Sequence, residues 1–231
     1  MKNNKLLAGL VLLSAIVQNL YFCSNDSLYS FTFAVGLTEE YMGFEMIVYL
    51  LFITVPMLFV GFFFSENIYG LKNGYGKLFV IRNYSKSRLI MKEQLKVFLY
   101  AGLFTLVQAL VYLIHSGRLL PLAGAQICRS VLSYFLGLST LIFLQMFTEI
   151  FFSPVKAVMV THIFLIVSYA SANYADNRII RAVLFPRNMF GFLNGALSGS
   201  VIYWESMAIL LVWLILISLL SLRKFNKADI F

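Results

Sequence analysis

The side chains that most often serve as catalysts or metal ligands are few in this sequence and lie far apart. The chain has two histidines, His115 and His162, and two cysteines, Cys23 and Cys128. Their spacing fits neither a metal site nor a nucleophile paired with a base. We expect both thiols to be free, with a bond between them as the open alternative. No catalytic constellation, metal site or resident cofactor is therefore predicted for this chain, and we do not expect an enzyme.

Gly74, Gly76 and Lys77 are only superficially similar to a phosphate-binding loop. That motif is G-x-x-x-x-G-K-[ST], because its backbone N–H groups surround the phosphates and its hydroxyl binds Mg²⁺. Here Leu71 stands at the first glycine position and Leu78 at the Ser/Thr position. The chain lacks this nucleotide site, so an ATP-driven function would need a partner that binds ATP and Mg²⁺.

The composition is that of an integral membrane protein. Hydrophobic residues make up 61% of the chain and charged residues only 12%, against about 25% charged residues in soluble domains. A window of about 19 residues predicts an all-α fold, one transmembrane domain over residues 1–231, and six spans. They cover approximately residues 6–22, 45–64, 97–115, 131–152, 156–172 and 204–222.

Basic residues orient these spans. The longest polar stretch, Ser65 to Lys96, carries seven Lys or Arg and two Glu. With the N-terminus in the cytosol, thirteen of the 18 basic residues fall inside and five arginines fall outside, as the positive-inside rule requires. Both termini are therefore predicted to be cytosolic. Because topology accounts for the positive charge, we predict a lipid bilayer as the surrounding medium and no nucleic-acid partner.

The connection from Ser171 to Tyr203 is longer than most helix connections. Asp176 is a candidate N-cap, and Pro186 ends the first of two short apolar clusters. The pattern predicts two short re-entrant or interfacial helices at the outer face. A packed cap over the helix ends without a ligand is an equally consistent interpretation. The residues singled out in this connection are Arg178, Arg181, Phe185, Arg187 and Phe190.

A few polar side chains interrupt the predicted spans, among them Gln18, Gln108, Gln145 and Glu149. Such groups are costly in hydrocarbon unless they find partners, so we expect hydrogen bonds between helices. Small residues such as Gly137 would let helices approach closely.

The loop and the span layout together resemble the membrane (permease) subunit of a bacterial ABC exporter of the second type, a family with six spans. The resemblance is carried by Glu66, by the segment 76–82 (GKLFVIR), by the segment 85–88 (SKSR) and by Lys92 ahead of the third span. Members of this family have a coupling helix after the second span and short outer helices before the sixth.

The resemblance implies a coupling site for separate ABC ATPase subunits, which would supply ATP and Mg²⁺. An apolar knob would enter a groove on the ATPase, a polar rim would surround it, and the turn from Glu149 to Lys156 would make a second contact. The residues implied are Glu66, Leu78, Phe79, Val80, Ile81, Arg82, Lys86, Arg88, Glu149 and Lys156. It also implies a second permease chain, identical or homologous, in the bacterial plasma membrane, and export or clearance of a peptide or other amphipathic substrate.

Two further interpretations remain at this point. The first is a stand-alone membrane immunity or sensor protein that binds a toxic peptide at its outer face. The second is an integral membrane enzyme, which the missing acid, base and metal groups disfavour. The polar loop itself could also be a solvated anchor and nothing more. The apolar run from Leu78 to Ile81 weighs against that, because exposed apolar clusters usually face a partner or a bilayer.

Overall fold

The computed structural model of the protein describes residues 4–24, 44–73, 85–116, 124–171 and 177–227, and these residues form helices and turns without a strand. The helices in chain order are α1 (Asn4–Ser24), α2 (Phe44–Phe64), α3 (Asn67–Asn73), α4 (Lys86–Ser116), α5 (Gly124–Glu149), α6 (Pro154–Ala170), α7 (Arg178–Val183), a 3-10 helix (Phe185–Met189) and α8 (Val201–Lys227). The predicted all-α class is confirmed for these residues.

Five of the described helical stretches are long and apolar enough to cross a membrane. They are Lys5–Phe22, Val48–Lys72, Lys86–Ile114, Gly124–Glu149 and Val201–Lys227. Helix α6 is also apolar but has only 17 residues. The chain therefore has the helices of a multi-pass membrane protein.

Helix α4 is longer than its predicted span, since it begins at Lys86 rather than near Val97. Hydropathy marks only the apolar part of a helix, whereas the backbone stays helical through polar residues of good helix propensity. The extra turns also pack against α8. Gln94 donates to the Ser218 carbonyl at 3.4 Å, and the Ser218 hydroxyl donates back to Gln94 Oε1 at 2.9 Å.

Helix α5 is the centre of the bundle. It packs against α4, α6, α8 and the 3-10 helix, while α1 and α2 pack on each other and reach α4 and α6. Gly137 of α5 makes this packing closer, because a Cβ atom there would overlap Met189 of the 3-10 helix. Leu138, Ile142 and Met146 of α5 are buried in the same core.

Polar side chains inside the bundle form hydrogen bonds between helices, as the sequence predicts. Gln108 Nε2 of α4 donates to Gln18 Oε1 of α1 at 2.8 Å. Gln145 Nε2 of α5 donates to the Gly61 carbonyl of α2 at 2.9 Å. Each bond satisfies groups that would otherwise be costly to bury, and the pairs therefore fix α1 on α4 and α2 on α5.

Candidate functional site

One end of the bundle, here called the cationic end, collects most of the described charged side chains. It consists of the start of α1, the end of α2, α3, the start of α4, the turn between α5 and α6, and the end of α8. Its basic residues are Lys5, Lys72, Lys86, Arg88, Lys92, Lys96, Lys156, Arg223, Lys224 and Lys227, and its acidic residues are Glu66, Glu93 and Glu149. The excess of positive charge makes this end suited to an anionic or acidic partner.

The corner between α2 and α3 is a tight turn. The Ser65 hydroxyl donates to the Phe62 carbonyl at 2.7 Å and closes α2. Glu66 then takes a φ of 72°, in the left-handed region that residues with a Cβ atom seldom adopt. Its carbonyl accepts the Gly70 N–H at 2.7 Å, so α3 starts directly after the turn. The Glu66 side chain is exposed, as a role in contacting a partner would require.

Glu149 supports this corner from inside the bundle. Its side chain is buried, with a residue exposure of 2%, and its Oε2 accepts the Ile68 N–H at 3.3 Å. Its Oε1 accepts from Gln145 Nε2 at 3.4 Å. A carboxylate at the start of a helix accepts a hydrogen bond from an otherwise unbonded N–H group and interacts favourably with the positive end of the helix dipole. Glu149 therefore holds α3 against the end of α5 and has little surface to offer a partner.

A second contact completes the attachment of α3. Lys72 Nζ, near the end of α3, donates to the Ile150 carbonyl at 3.5 Å, and Ile68 and Leu71 are buried beside it. Lys156, the other end of the predicted second contact, is exposed at the start of α6. The structure thus separates Glu149 from Lys156, because one is internal and the other faces outward.

The start of α4 is fixed on α8. The Ser87 hydroxyl donates to Asn226 Oδ1 at 3.0 Å, and Asn226 Nδ2 lies 2.7 Å from the Ser87 oxygen. Lys86 is half-buried and Arg88 is exposed on this part of α4. Lys224 of α8 lies over the Phe151 ring, 5.8 Å from its centroid, which joins α8 to the turn between α5 and α6.

The core of the predicted coupling segment, Leu78, Phe79, Val80, Ile81 and Arg82, lies outside the described residues. What the structure provides is the two attachment points of that segment. Helix α3 ends at Asn73, and Ser85 precedes α4. Residues 74–84 therefore join two helices that are each bound to the bundle at the cationic end.

Residues 177–200, here called the buried connection, lie at the opposite end. Asn177 caps α7 by accepting the Ile179 N–H at 2.9 Å, whereas the predicted cap, Asp176, is outside the described residues. Phe185 and Phe190 are each 1% exposed and Arg187 is 3% exposed. These side chains lie inside the bundle, and the 3-10 helix, which ends at Met189, is followed by turns.

Side chains from three long helices hold the buried connection in place. Ser168 of α6 donates to the Leu184 carbonyl at 2.8 Å and accepts the Arg187 N–H at 2.9 Å. Trp213 of α8 donates to the Ala182 carbonyl at 2.7 Å, and α5 contributes a bond from Gln126 to the Leu197 carbonyl at 2.6 Å. These contacts favour the packed-cap interpretation of this segment.

Two residues of this region make contacts that the sequence did not predict. Glu205 of α8 lies 3.1 Å from Arg178 and 3.9 Å from Arg181. Asn188 is fully buried, donates to the Arg181 carbonyl at 2.9 Å and accepts from the Ser206 hydroxyl at 3.2 Å. The signal for Glu205 was an acidic residue at the start of the last span, after several arginines. Nothing local in the sequence marks Asn188.

The described part of the chain contains no group of three or more His, Cys, Asp or Glu side chains that could hold a metal ion. Cys128 is an exposed free cysteine, and the side chain of Cys23 lies outside the described residues. The chemistry available at the cationic end is thus charge, hydrogen bonding and apolar contact.

Comparison with known proteins gives one result. No curated protein and no solved structure matches the chain. A family profile described as "Protein of unknown function (DUF2705)" matches residues 11–231, from the first turns of α1 to the C-terminus. The chain therefore belongs to the DUF2705 family.

Proposed function

We propose that the protein is the permease subunit of an ATP-driven bacterial exporter, coupled to a separate ATPase through the cationic end. The chain would cross the plasma membrane six times with both termini in the cytosol. Two permease chains would pair, and two ATPase subunits would bind ATP and Mg²⁺. The substrate would be a peptide or other amphipathic molecule that is exported or cleared.

Helix α6 supports a sixth crossing although it is short. Its 17 residues rise about 26 Å, and spans of about 17 residues are within the range that crosses a bilayer. It starts at the cationic end, and Ser168 in its last turn already contacts the buried connection. Helix α6 thus runs between the same two ends as α5, and an even number of crossings returns the chain to the side on which it began.

The observation that carries the proposal is the attachment of residues 74–84. Glu149 and Lys72 hold α3 on the end of α5, while Asn226 and Ser218 of α8 hold the start of α4. A segment bound to a moving ATPase would therefore pull on two helices of the central bundle. A solvated topological anchor needs no such attachment at both ends.

The mechanism follows from these attachments. Closure of the ATPase subunits around ATP would shift the segment from Leu78 to Ile81, and α3 and α4 would carry the displacement to α5 and α8. Two permease chains would then change between inward-open and outward-open arrangements. ATP drives this change only through contacts that differ between the two states.

The test is co-purification of the full-length chain with its ATPase. Wild-type chain extracted from its native membrane should retain a subunit that hydrolyses Mg-ATP. Phe79→Asp should abolish that activity in the purified complex without affecting membrane insertion, because a charge replaces the apolar knob. Ile179→Asp is the matched control, since Ile179 is 71% exposed on α7 at the opposite end.

Two results would overturn the proposal. One is a wild-type chain that carries no ATPase, which would favour a stand-alone immunity or sensor protein. The other is an ATPase that remains bound to Phe79→Asp as firmly as to the wild type. Loss of the ATPase in the Ile179→Asp chain as well would show a general folding defect and would also remove the support for coupling at residues 74–84.

A further inference from the structure

Two cavities on the outside of the bundle, which share two lining side chains, are here called the groove. Its charged part is a cleft of about 410 Å³ on one face of α4, and its lining is Lys92, Leu95, Lys96, Leu99, Tyr100 and Leu103. Tyr100 and Leu103 also line a second cavity of about 280 Å³ between α1, α2 and α4. The two cavities therefore join through these two side chains.

The second cavity is apolar. Its walls include Ala8 of α1, Val60 and Phe63 of α2, and Phe104 and Val107 of α4. The stripe that leads into it from the charged cleft is exposed as well, with Leu95 60% and Leu99 64% accessible. One groove thus presents ammonium groups at its mouth and hydrocarbon along its length.

The length of the groove matches one leaflet of a bilayer. From Lys96 to Val107 the rise along α4 is about 16 Å, and half of a hydrocarbon core is about 15 Å. Gln18 of α1 is level with Gln108 of α4, as their 2.8 Å hydrogen bond requires. Equal rise along the two helices then brings Lys5 to about the depth of Lys96, so a third cation stands at the level of the headgroups.

We propose that this groove binds an anionic phospholipid of the leaflet at the cationic end. The phosphate lies at Lys92 and Lys96, and one acyl chain fills the cavity between α1, α2 and α4. Charge complementarity selects the occupant, since a zwitterionic lipid gains less from the lysines. The site requires the chain to lie in a membrane, and it does not depend on coupling to an ATPase.

The two lysines differ in what they contribute. Lys96 is ion-paired to Glu93 at 3.0 Å, but its side chain is 49% exposed, and an ammonium group has three donors. Lys92 is exposed at the mouth of the cleft. Because Glu93 weakens the attraction at Lys96, the pair should contribute about tenfold to affinity rather than the roughly thirtyfold of two unpaired lysines near an anionic lipid.

The test is native mass spectrometry of the full-length chain, titrated in detergent with phosphatidylglycerol or phosphatidylcholine. We expect one phosphatidylglycerol to bind at least tenfold more tightly than phosphatidylcholine. Lys92→Gln with Lys96→Gln should remove about tenfold of that affinity. The matched control, Arg223→Gln with Lys227→Gln, removes the same charge from exposed positions of the same end and should leave the affinity for phosphatidylglycerol unchanged.

A second pair of variants tests the acyl-chain part independently. Ala8→Trp fills the apolar cavity and should lower phosphatidylglycerol binding, while Ala208→Trp, on an exposed face of α8, should not. Equal binding of the two lipids, an equal loss in the control variant Arg223→Gln with Lys227→Gln, or full binding by Ala8→Trp would each overturn the proposal. So would displacement by inorganic phosphate alone, or a dimer of the chain that closes this groove, because another occupant would then account for it.

Discussion

The two ends of the bundle hold their long connections in different ways. In the buried connection the backbone enters the bundle, and Ser168, Gln126 and Trp213 bond its carbonyls. At the cationic end the helices on either side of residues 74–84 are held on the bundle, α3 by Glu149 and α4 by Asn226. The first arrangement fixes the connection itself, whereas the second fixes the two helices that flank the connection.

This difference indicates which end can serve a partner. Phe185 and Phe190 of the buried connection fill the core and cannot reach a partner, although Ile179 and Val183 on α7 are exposed. The proposed coupling segment, residues 74–84, joins α3 and α4, which are both held on the bundle at the other end. The coupling proposal therefore concerns the cationic end, and we interpret the buried connection as a packed cap over the helix ends.

The largest loss of stability is expected where the buried connection contacts α5. Gly137→Ala should lower the free energy of unfolding by about 3 kcal/mol, because the new methyl group would overlap Met189 and overpacking a core costs about that much. Denaturant unfolding in detergent measures it. Gly9→Ala is the control, since no atom lies within 4 Å of that added Cβ, and helix propensity should make it slightly stabilising. Equal stability of the two variants would contradict the close packing of the buried connection on α5.

The next effect concerns the support of α3. Glu149→Leu should cost about 2 kcal/mol, because the buried Ile68 N–H loses its acceptor. Release of α3 should also speed tryptic cleavage after Lys72, which limited proteolysis would detect. Glu149→Gln keeps an oxygen at this position and should behave nearly as the wild type. Unchanged cleavage in Glu149→Leu would show that α3 is held by other contacts.

A smaller effect is expected at the corner between α2 and α3. The φ of 72° at Glu66 is strained for residues with a Cβ atom, and most of all for β-branched ones. Glu66→Val should lower the thermal midpoint, at a cost of about 1 kcal/mol, while Glu66→Gly should leave the midpoint nearly unchanged. A valine variant as stable as the glycine variant would mean that the corner can adopt another conformation.

The smallest effect should come from the exposed ion pair of the buried connection. Arg178 is 84% exposed at its side chain, although it lies 3.1 Å from Glu205. Surface pairs of this kind contribute about 0.5 kcal/mol, so Arg178→Gln should shift the thermal midpoint by about a degree or two. A large drop in the thermal midpoint would show that the buried connection depends on its exposed charges rather than on its buried core.

Much of the architecture could be predicted from local sequence. Apolar runs gave the long helices, and the partners of Gln18 and Gln108 were expected because amides rarely stay unbonded in hydrocarbon. The prediction was less accurate at helix ends, where polar residues such as Gln94 continue a helix that hydropathy does not register. It also left the buried connection open between interfacial helices and a packed cap, since apolar residues in a connection suit a bilayer surface and a protein core equally well.

The residues of the candidate site also divide into those that could be placed from the sequence and those that could not. The resemblance implied Glu66, Lys86 and Arg88 as coupling residues, and all three lie at the cationic end. It could not distinguish the inward Glu149 from the outward Lys156, because both stand beside one turn and burial depends on which neighbours arrive there.

By itself, the sequence determined that the chain is helical, membrane-like in composition, and cationic at one set of helix ends, because hydropathy and charge are local properties. Only the tertiary structure decided that Glu149 supports α3, that Gly137 makes room for Met189, and that Phe185 and Phe190 fill the core. Each of these depends on segments far apart in the chain meeting at one point. Such meetings are set by packing between helices, which no single segment encodes.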